Sequence, residues 1–407
     1  MSYTYTDKVK FAYTNNFDAF GRLRVSQPFT LFDSSNRYKD NGLFATQTAT
    51  GGTAVFNANQ GLVDLSVNTS SGSTVRRETY KAFAYQPGKS LLSLNTFVMA
   101  PAQSGLTQRV GYYGAANGIF LQLENSTLSL VERSSITGVL VDTPVAQASW
   151  NVDPMDGTGP SGITLDITKA QILFIDIEWL GVGSVRCGFV INGEFYTCHV
   201  FHHANIIAST YITTASLPIR YEIFNTTGTA TSSTLKQICS TVISEGGYEL
   251  RGLQQAVGSV ITTPKALTTA GTYYPVVSIR LKSTALDGIV ILTALSIMGV
   301  ATGIYNWQVL ASCTTTAGAW VSAGTDSSVE YNLTGTGTSG GRILASGFLT
   351  SSTQASVNTD ILKEALFSFQ LERDSFTSTP FEISLVVTAS TNNELVYGSM
   401  DWEEISR

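Results

Sequence analysis

Apolar and polar residues alternate along most of the chain in short runs rich in Val, Ile, Thr, Tyr and Phe, and Gly, Asn and Pro cut the runs at close intervals. A period of two sends successive side chains to opposite faces of an extended backbone, so the pattern predicts strands with one face buried. Many short strands without helical periods between them close into sandwiches or barrels. The expectation is an all-β chain of two antiparallel β-sandwich domains of jelly-roll type, preceded by an extended N-terminal arm.

The sharpest element is a hairpin over 185–201. Asn192-Gly193 separates two alternating runs and supplies the positive φ angles of a two-residue type I′ turn. Pairing Ile191 with Glu194 sets Val190 opposite Phe195, Phe189 opposite Tyr196, Cys187 opposite Cys198 and Arg186 opposite His199. The two thiols then fall at a hydrogen-bonded pair with α-carbons about 5.5 Å apart. A disulfide is sterically feasible there but runs against a reducing cytoplasm, so its state stays open. The run 172–179, ended by Gly181-Val182-Gly183, predicts the neighbouring strand of a meander. Further strands are expected at 90–99, 118–123, 127–132 and 217–224.

The alternation breaks after Gly246-Gly247 and resumes at Pro275. The division predicted is an arm over 1–40, a first sandwich over 41–250, a linker over 251–274 and a second sandwich over 275–407. Strands of the second sandwich are expected at 275–281, 307–310, 347–349, 381–388 and 395–402. Asn358-Thr359-Asp360 forms a capping run before Ile361 to Leu366, where a helix or a turn into a strand at 367–371 is expected.

Composition narrows the function. Hydrophobic residues make up 43% of the 407 but charged residues only 13%, about half the usual share, so the polar surface consists mostly of Ser, Thr, Asn, Gln and Gly. Such faces suit close neighbours. Net charge is −6 with no basic run, which disfavours nucleic acid. No apolar stretch approaches a bilayer span, so no membrane insertion is expected. The start Met1-Ser2-Tyr3-Thr4-Tyr5-Thr6 lacks a basic and apolar leader, which predicts a protein made and kept in a cytoplasm. The four cysteines carry no CxxC pair and read as reduced, mostly buried thiols.

Three constellations invite chemistry. All three histidines, His199, His202 and His203, fall within five residues beside Cys198. A strand would put His199 and His203 on one face and His202 on the other, so at most two could meet one ion. They are read as strand-end residues, one facing Arg186, and no metal or cofactor is expected. Asp176 and Glu178 share a strand face and resemble the tail of the Glu-x-Asp-x-Glu signature of family 16 glycoside hydrolases. That resemblance implies a concanavalin A-like sandwich, but Phe174 stands where the nucleophile belongs, and a retaining mechanism needs both carboxyl groups. No enzyme activity is expected. The Gly-rich run Gly335 to Gly341 lacks the lysine and helix of a phosphate cradle and reads as a loop.

The segment Phe17-Asp18-Ala19-Phe20-Gly21-Arg22-Leu23-Arg24-Val25-Ser26, with Pro28-Phe29-Thr30-Leu31-Phe32-Asp33 after it, resembles the N-terminal signature of virion structural proteins of marine tailed phages. The likeness extends through Ile177-Glu178-Trp179-Leu180-Gly181 and Leu217-Pro218-Ile219-Arg220-Tyr221-Glu222, roughly the first 250 residues. It implies a place in the virion, assembled in the host cytoplasm, as a tail-associated or fibre-like appendage, or else a capsid decoration or head fibre. The partners expected are further copies of the chain and other virion proteins. Phe17, Phe20, Arg22, Leu23, Arg24 and Val25 are the expected anchor, with arginines on one side of an extended strand and aliphatics on the other. The alternative is a first strand of the sandwich with the arginines in solvent. A binding module for host-surface glycan is the competing function, with Trp150, Trp179, Tyr112 and Tyr113 as stacking platforms.

Overall fold

In the computed structural model, residues 27–249, 251–351, 357–358 and 369–406 are described, and every strand pair among them is antiparallel. They form two β-sandwiches joined directly to one another. No helix among the described residues is long and apolar enough to cross a membrane.

The first sandwich packs two large sheets face to face. One runs, in spatial order, Glu194–Phe201, Val185–Ile191, Gln171–Ile177, Leu91–Val98, Ser233–Ser244, Leu62–Val67 and Thr53–Asn57. The long strand Ser233–Ser244 pairs with Leu62–Val67 through its first half and with Phe29–Ser35 through its second. The facing sheet runs Val141–Ala146, Thr127–Ser134, Gly118–Glu124, Leu106–Tyr113, Ile219–Asn225, Thr74–Thr79 and Phe44–Ala49. The chain crosses repeatedly between the sheets, which gives the expected jelly-roll layout.

Alternation explains the core. Leu173, Ile175 and Ile177 meet Leu121, Leu130, Val110 and Tyr221 between the sheets, all fully buried. Each such aliphatic contributes about 1.5–3 kcal/mol on burial.

The hairpin forms as predicted at its turn, with Asn192 at φ 54° and Gly193 at φ 84°. Ile191, Val190 and Phe189 meet their expected partners, but Cys187 lies opposite His199 and Arg186 opposite Val200. The reason is a bulge: Cys198 is an extra residue on its strand, so the register slips by one beyond Thr197. Cys187 and Cys198 are both buried in the core and both free. The strand Gln171–Ile177 pairs with Val185–Ile191, completing the meander.

The second sandwich has a sheet ordered Val321–Ser322, Val329–Asn332, Tyr274–Leu281, Glu382–Ala389, Gly303–Thr316 and Gly337–Ser351. Its partner sheet centres on Glu394–Ser406, which pairs with Leu253–Gly258 and Lys265–Leu267 on one side and Ile289–Gly299 on the other. Between them lie Trp402, Tyr305, Leu385 and Val309.

Three boundaries differ from expectation. Residues 251–274 are not a linker, because Leu253–Gly258 and Lys265–Leu267 are strands held by the long terminal strand. Residues 29–35, placed in the arm, form a strand of the first sandwich. The Gly-rich run is not a loop from Gly337 onward but the start of a 15-residue strand. The helix expected at 358–366 lies outside the described residues apart from Asn358, which sits in the short strand Val357–Asn358.

The two sandwiches are tied by a buried junction. Arg373 donates to Glu78 Oε1 at 2.9 Å, to the Thr79 carbonyl at 2.7 Å and to Asp287 at 2.9 Å. Its backbone N–H donates to the Tyr80 carbonyl at 3.0 Å, and Gln370 Nε2 donates to the Ala82 carbonyl at 2.8 Å. Ala82, Ala84 and Ile289 seal the seam against Tyr248 and Ile405.

Candidate functional sites

Placing the proposed glycan platforms removes most of them. Tyr112 points into the core, its hydroxyl donating to the Ala215 carbonyl at 2.8 Å. Trp150 is buried, with its indole N–H donating to the Val145 carbonyl at 3.1 Å. Trp179 is half-buried and edge-on to Tyr85. Tyr113 does face outward, but it is fully buried under arginines. Tyr112 and Tyr113 are neighbours in the strand Leu106–Tyr113, so alternation sends them to opposite faces. The anchor residues Phe17, Phe20, Arg22, Leu23, Arg24 and Val25 lie outside the described residues.

The outer face of the sheet that carries Tyr113 holds a ladder of charge. Cross-strand register brings Gln122, Arg109, Glu222 and Arg76 into one row and Phe120, Gly111, Arg220 and Glu78 into the next. Arg109 Nε donates to Gln122 at 2.7 Å, and its guanidinium lies 3.5 Å from Glu222 and 3.7 Å from Asp142. Glu222 also accepts from Arg76. Arg133 grips Asp142 through two hydrogen bonds of 2.8 Å. The guanidinium groups of Arg109 and Arg133 lie over Phe120 at 5.2 and 5.1 Å, and those of Arg133 and Arg220 lie over Tyr113 at 5.6 and 5.4 Å. Burial alone would raise the Asp142 pKa, but the Arg133 hydrogen bond and charge hold it below the ordinary carboxylate range. The acids of this ladder are engaged by arginine, so they are poorly placed for proton transfer.

The glycosidase-like carboxylates part company. Asp176 is buried and paired with Arg186 at 2.5 Å, while Glu178 is exposed beyond the strand end. Phe174 packs on Phe195 at 5.1 Å on the same outer face. Desolvation raises the Asp176 pKa despite Arg186. Asp176 is shielded on the outer face because the adjacent strand brings Arg186 across it.

The histidines separate as well. His199 Nδ1 accepts from the Asn151 N–H at 3.2 Å and does not face Arg186. His202 is exposed beside Ser184 at 3.3 Å. His203 is buried, with Nδ1 2.7 Å from the Gly183 carbonyl, Nε2 2.7 Å from Glu132 Oε2, and its ring stacked on Tyr211 at 3.9 Å. Among the described residues no cluster of His, Cys, Asp and Glu has a metal-holding arrangement. Glu132 was not singled out by sequence, because 71 residues separate it from His203 and only the packing of strand against loop joins them.

The second sandwich carries a different kind of site. Gly337–Ser351 is the edge strand of its sheet, and among the described residues no strand pairs with its outer side. It holds one charged residue, Arg342, which is turned to Glu372 at 3.1 Å. Phe348 is 77% exposed and Ile343 57%, and Ile304 on the neighbouring strand is 55% exposed. Register puts all three on the outer face: Phe348 pairs with Asn306, Ile343 with Leu310 and Ile304 with Thr350. Other edges are blunted, Val141–Ala146 by Pro144 and Glu194–Phe201 by the Cys198 bulge. The long edge has only a bulge at Leu344, which leaves seven residues beyond it, Ala345 to Ser351, in uninterrupted pairing geometry.

No family model matches the chain, and no curated protein does. Among solved structures, the chain is similar to a Bacillus licheniformis beta-glucanase at 14% identity, covering 52% of this chain and 96% of that one with a TM-score of 0.32. It is similar to the carbohydrate recognition domain of Emp47p at 11% identity, 53% and 96% coverage and a TM-score of 0.34. It is similar to a legume lectin-like domain from Entamoeba histolytica at 12% identity, 53% and 97% coverage and a TM-score of 0.30.

Proposed function

We propose that this protein is a non-catalytic structural subunit on the exterior of a virus particle, a tail-associated or fibre-like appendage that works by self-association and docking. The observation that carries the reading is the open edge Gly337–Ser351. An edge strand whose outer side no described strand pairs, with almost no charge and an apolar stripe, is a template for pairing with another strand. Pairing with its own copy about a two-fold axis is the most economical closed arrangement. The low charge of the chain as a whole supports the same reading, as does the likeness of Phe17 to Ser26 to the virion signature.

Two measurements test the proposal. Light scattering on the purified chain is expected to give an oligomer that Phe348→Lys with Ile343→Lys converts to monomer without loss of fold. Mass spectrometry of purified particles is expected to find the chain. A monomeric wild type, or absence from particles, would overturn it.

A further inference from the structure

A pocket of about 210 Å³ opens beside the buried His203, between the Thr127–Ser134 and Val141–Ala146 strands and the loop that follows Phe201. Glu132, His203 and Tyr211 line its floor, and Thr143, Thr210 and Ser134 add hydroxyls to the wall. The mouth is aliphatic: Ile136 is 40% exposed, Val141 47% and Ile207 38%. Apolar walls with a few convergent polar groups are the usual make-up of a small-molecule site.

The floor decides what fits. The two ring nitrogens of His203 face a carbonyl and a carboxylate, a setting in which the protonated ring donates to both; burial lowers its pKa, but these contacts with the Glu132 charge raise it above the ordinary histidine value. Glu132 spends Oε2 on that ring, and its charge is neutralised there. No described residue donates to its Oε1, and Glu132 lines the pocket, so a ligand there has this acceptor to meet. A cation gains little from a carboxylate already compensated, and an anion meets a bare acceptor oxygen. What remains is a neutral ligand with hydroxyl donors and a C–H face for the aliphatic mouth.

We infer that this pocket binds a neutral pyranose ring, with a sugar hydroxyl donating to Glu132 Oε1 and the ring's C–H face against Val141 and Ile207. The pocket holds about one ring and is open at the mouth, so it takes either a free monosaccharide or the terminal residue of a glycan. It lies on the first sandwich and the association edge on the second, so failure of one leaves the other untouched.

Saturation-transfer NMR on the full-length chain tests this. The probes are the methyl pyranosides of galactose, mannose, glucose and fucose, which mimic a chain terminus, run beside the same sugars free. Glucosamine and methyl glucuronide serve as charged counterparts. At least one neutral pyranoside is expected to bind, and Val141→Trp and Ile207→Trp, which fill the mouth without touching the ionic floor, are each expected to weaken it at least tenfold while the melting temperature holds. Preference for methyl glycosides would point to a glycan terminus, and preference for free sugars to a monosaccharide; either fits the site. No binding by the wild type, binding undiminished in both variants, or tighter binding of either charged probe would overturn the inference.

Discussion

Arg373 of the second sandwich reaches Glu78 of the first at 2.9 Å, and both side chains are almost wholly enclosed. Glu78 is also paired with Arg220 through its other oxygen, so one carboxylate joins two guanidinium groups across the seam. Removing one partner of such a buried set costs about 3–5 kcal/mol, since it strands the remaining charge. Arg373→Ala is therefore expected to destabilise by that order and to split a single calorimetric unfolding peak into two. A single peak at the wild-type temperature would show that the seam does not depend on this contact.

His203 gives a pH dependence whose sign follows from its surroundings. Burial lowers its pKa, but the hydrogen bonds to Glu132 and the Gly183 carbonyl and the Glu132 charge together raise it above the ordinary histidine value. A raised folded-state value stabilises fully below the unfolded pKa of about 6.5 and is lost as pH climbs through the folded value. His199 is shifted the other way, first by burial and then by His202, so it favours the fold when neutral. The loss on the alkaline side is expected to vanish in His203→Gln. Denaturant titrations at a series of pH values read it.

The thiols should be silent in the native protein. Burial pushes the Cys187 and Cys198 pKa values well up, and raises those of Cys313 and Cys239 as well. A thiol reagent at neutral pH is expected to reach none of the buried three quickly and only the half-buried Cys239 at a measurable rate, while all four react in denaturant. Detection of a Cys187–Cys198 disulfide by mass mapping in freshly prepared protein would contradict the free thiols.

Two glycines of one hairpin should respond differently to a methyl group. At Gly193, with φ 84°, an added Cβ meets nothing within 4 Å, so Gly193→Ala carries only backbone strain, about 1 kcal/mol. At Gly188 the Cβ would come within 2.0 Å of the Tyr196 carbonyl oxygen and 2.7 Å of the Phe174 ring. The neighbouring strand cannot yield that far, so Gly188→Ala is expected to cost about 3 kcal/mol or more. Equal melting temperatures for the two variants would refute the close approach.

Strand existence was legible because alternation is local. The strands predicted at 118–123, 127–132 and 275–281 appear as Gly118–Glu124, Thr127–Ser134 and Tyr274–Leu281. The Asn192-Gly193 turn was legible for the same reason. The Cys198 bulge was not, since an extra residue between two otherwise well-paired runs leaves no compositional trace. Residues 251–274 misled because edge strands with little alternation read as linker when their partner, Glu394–Ser406, lies far along the chain. Tyr113 shows a further limit: parity places it on the outer face, but nothing local reveals that Arg133 and Arg220, drawn from two other strands, close over it. The Glu132–His203 contact was hidden for the same reason, being a property of packing rather than of spacing.

The strand Glu394–Ser406 holds three others in its sheet, Leu253–Gly258, Lys265–Leu267 and Ile289–Gly299. During synthesis the first sandwich has all its strands once residue 244 has emerged, whereas the second lacks its central partner until residues 394–406 leave the ribosome. Nascent chains would thus carry a finished first half and an unfinished second, and the edge strand Gly337–Ser351 would be presented on a settled sandwich only after translation has passed that strand. Order of emergence then sets completion of the second sandwich behind that of the first.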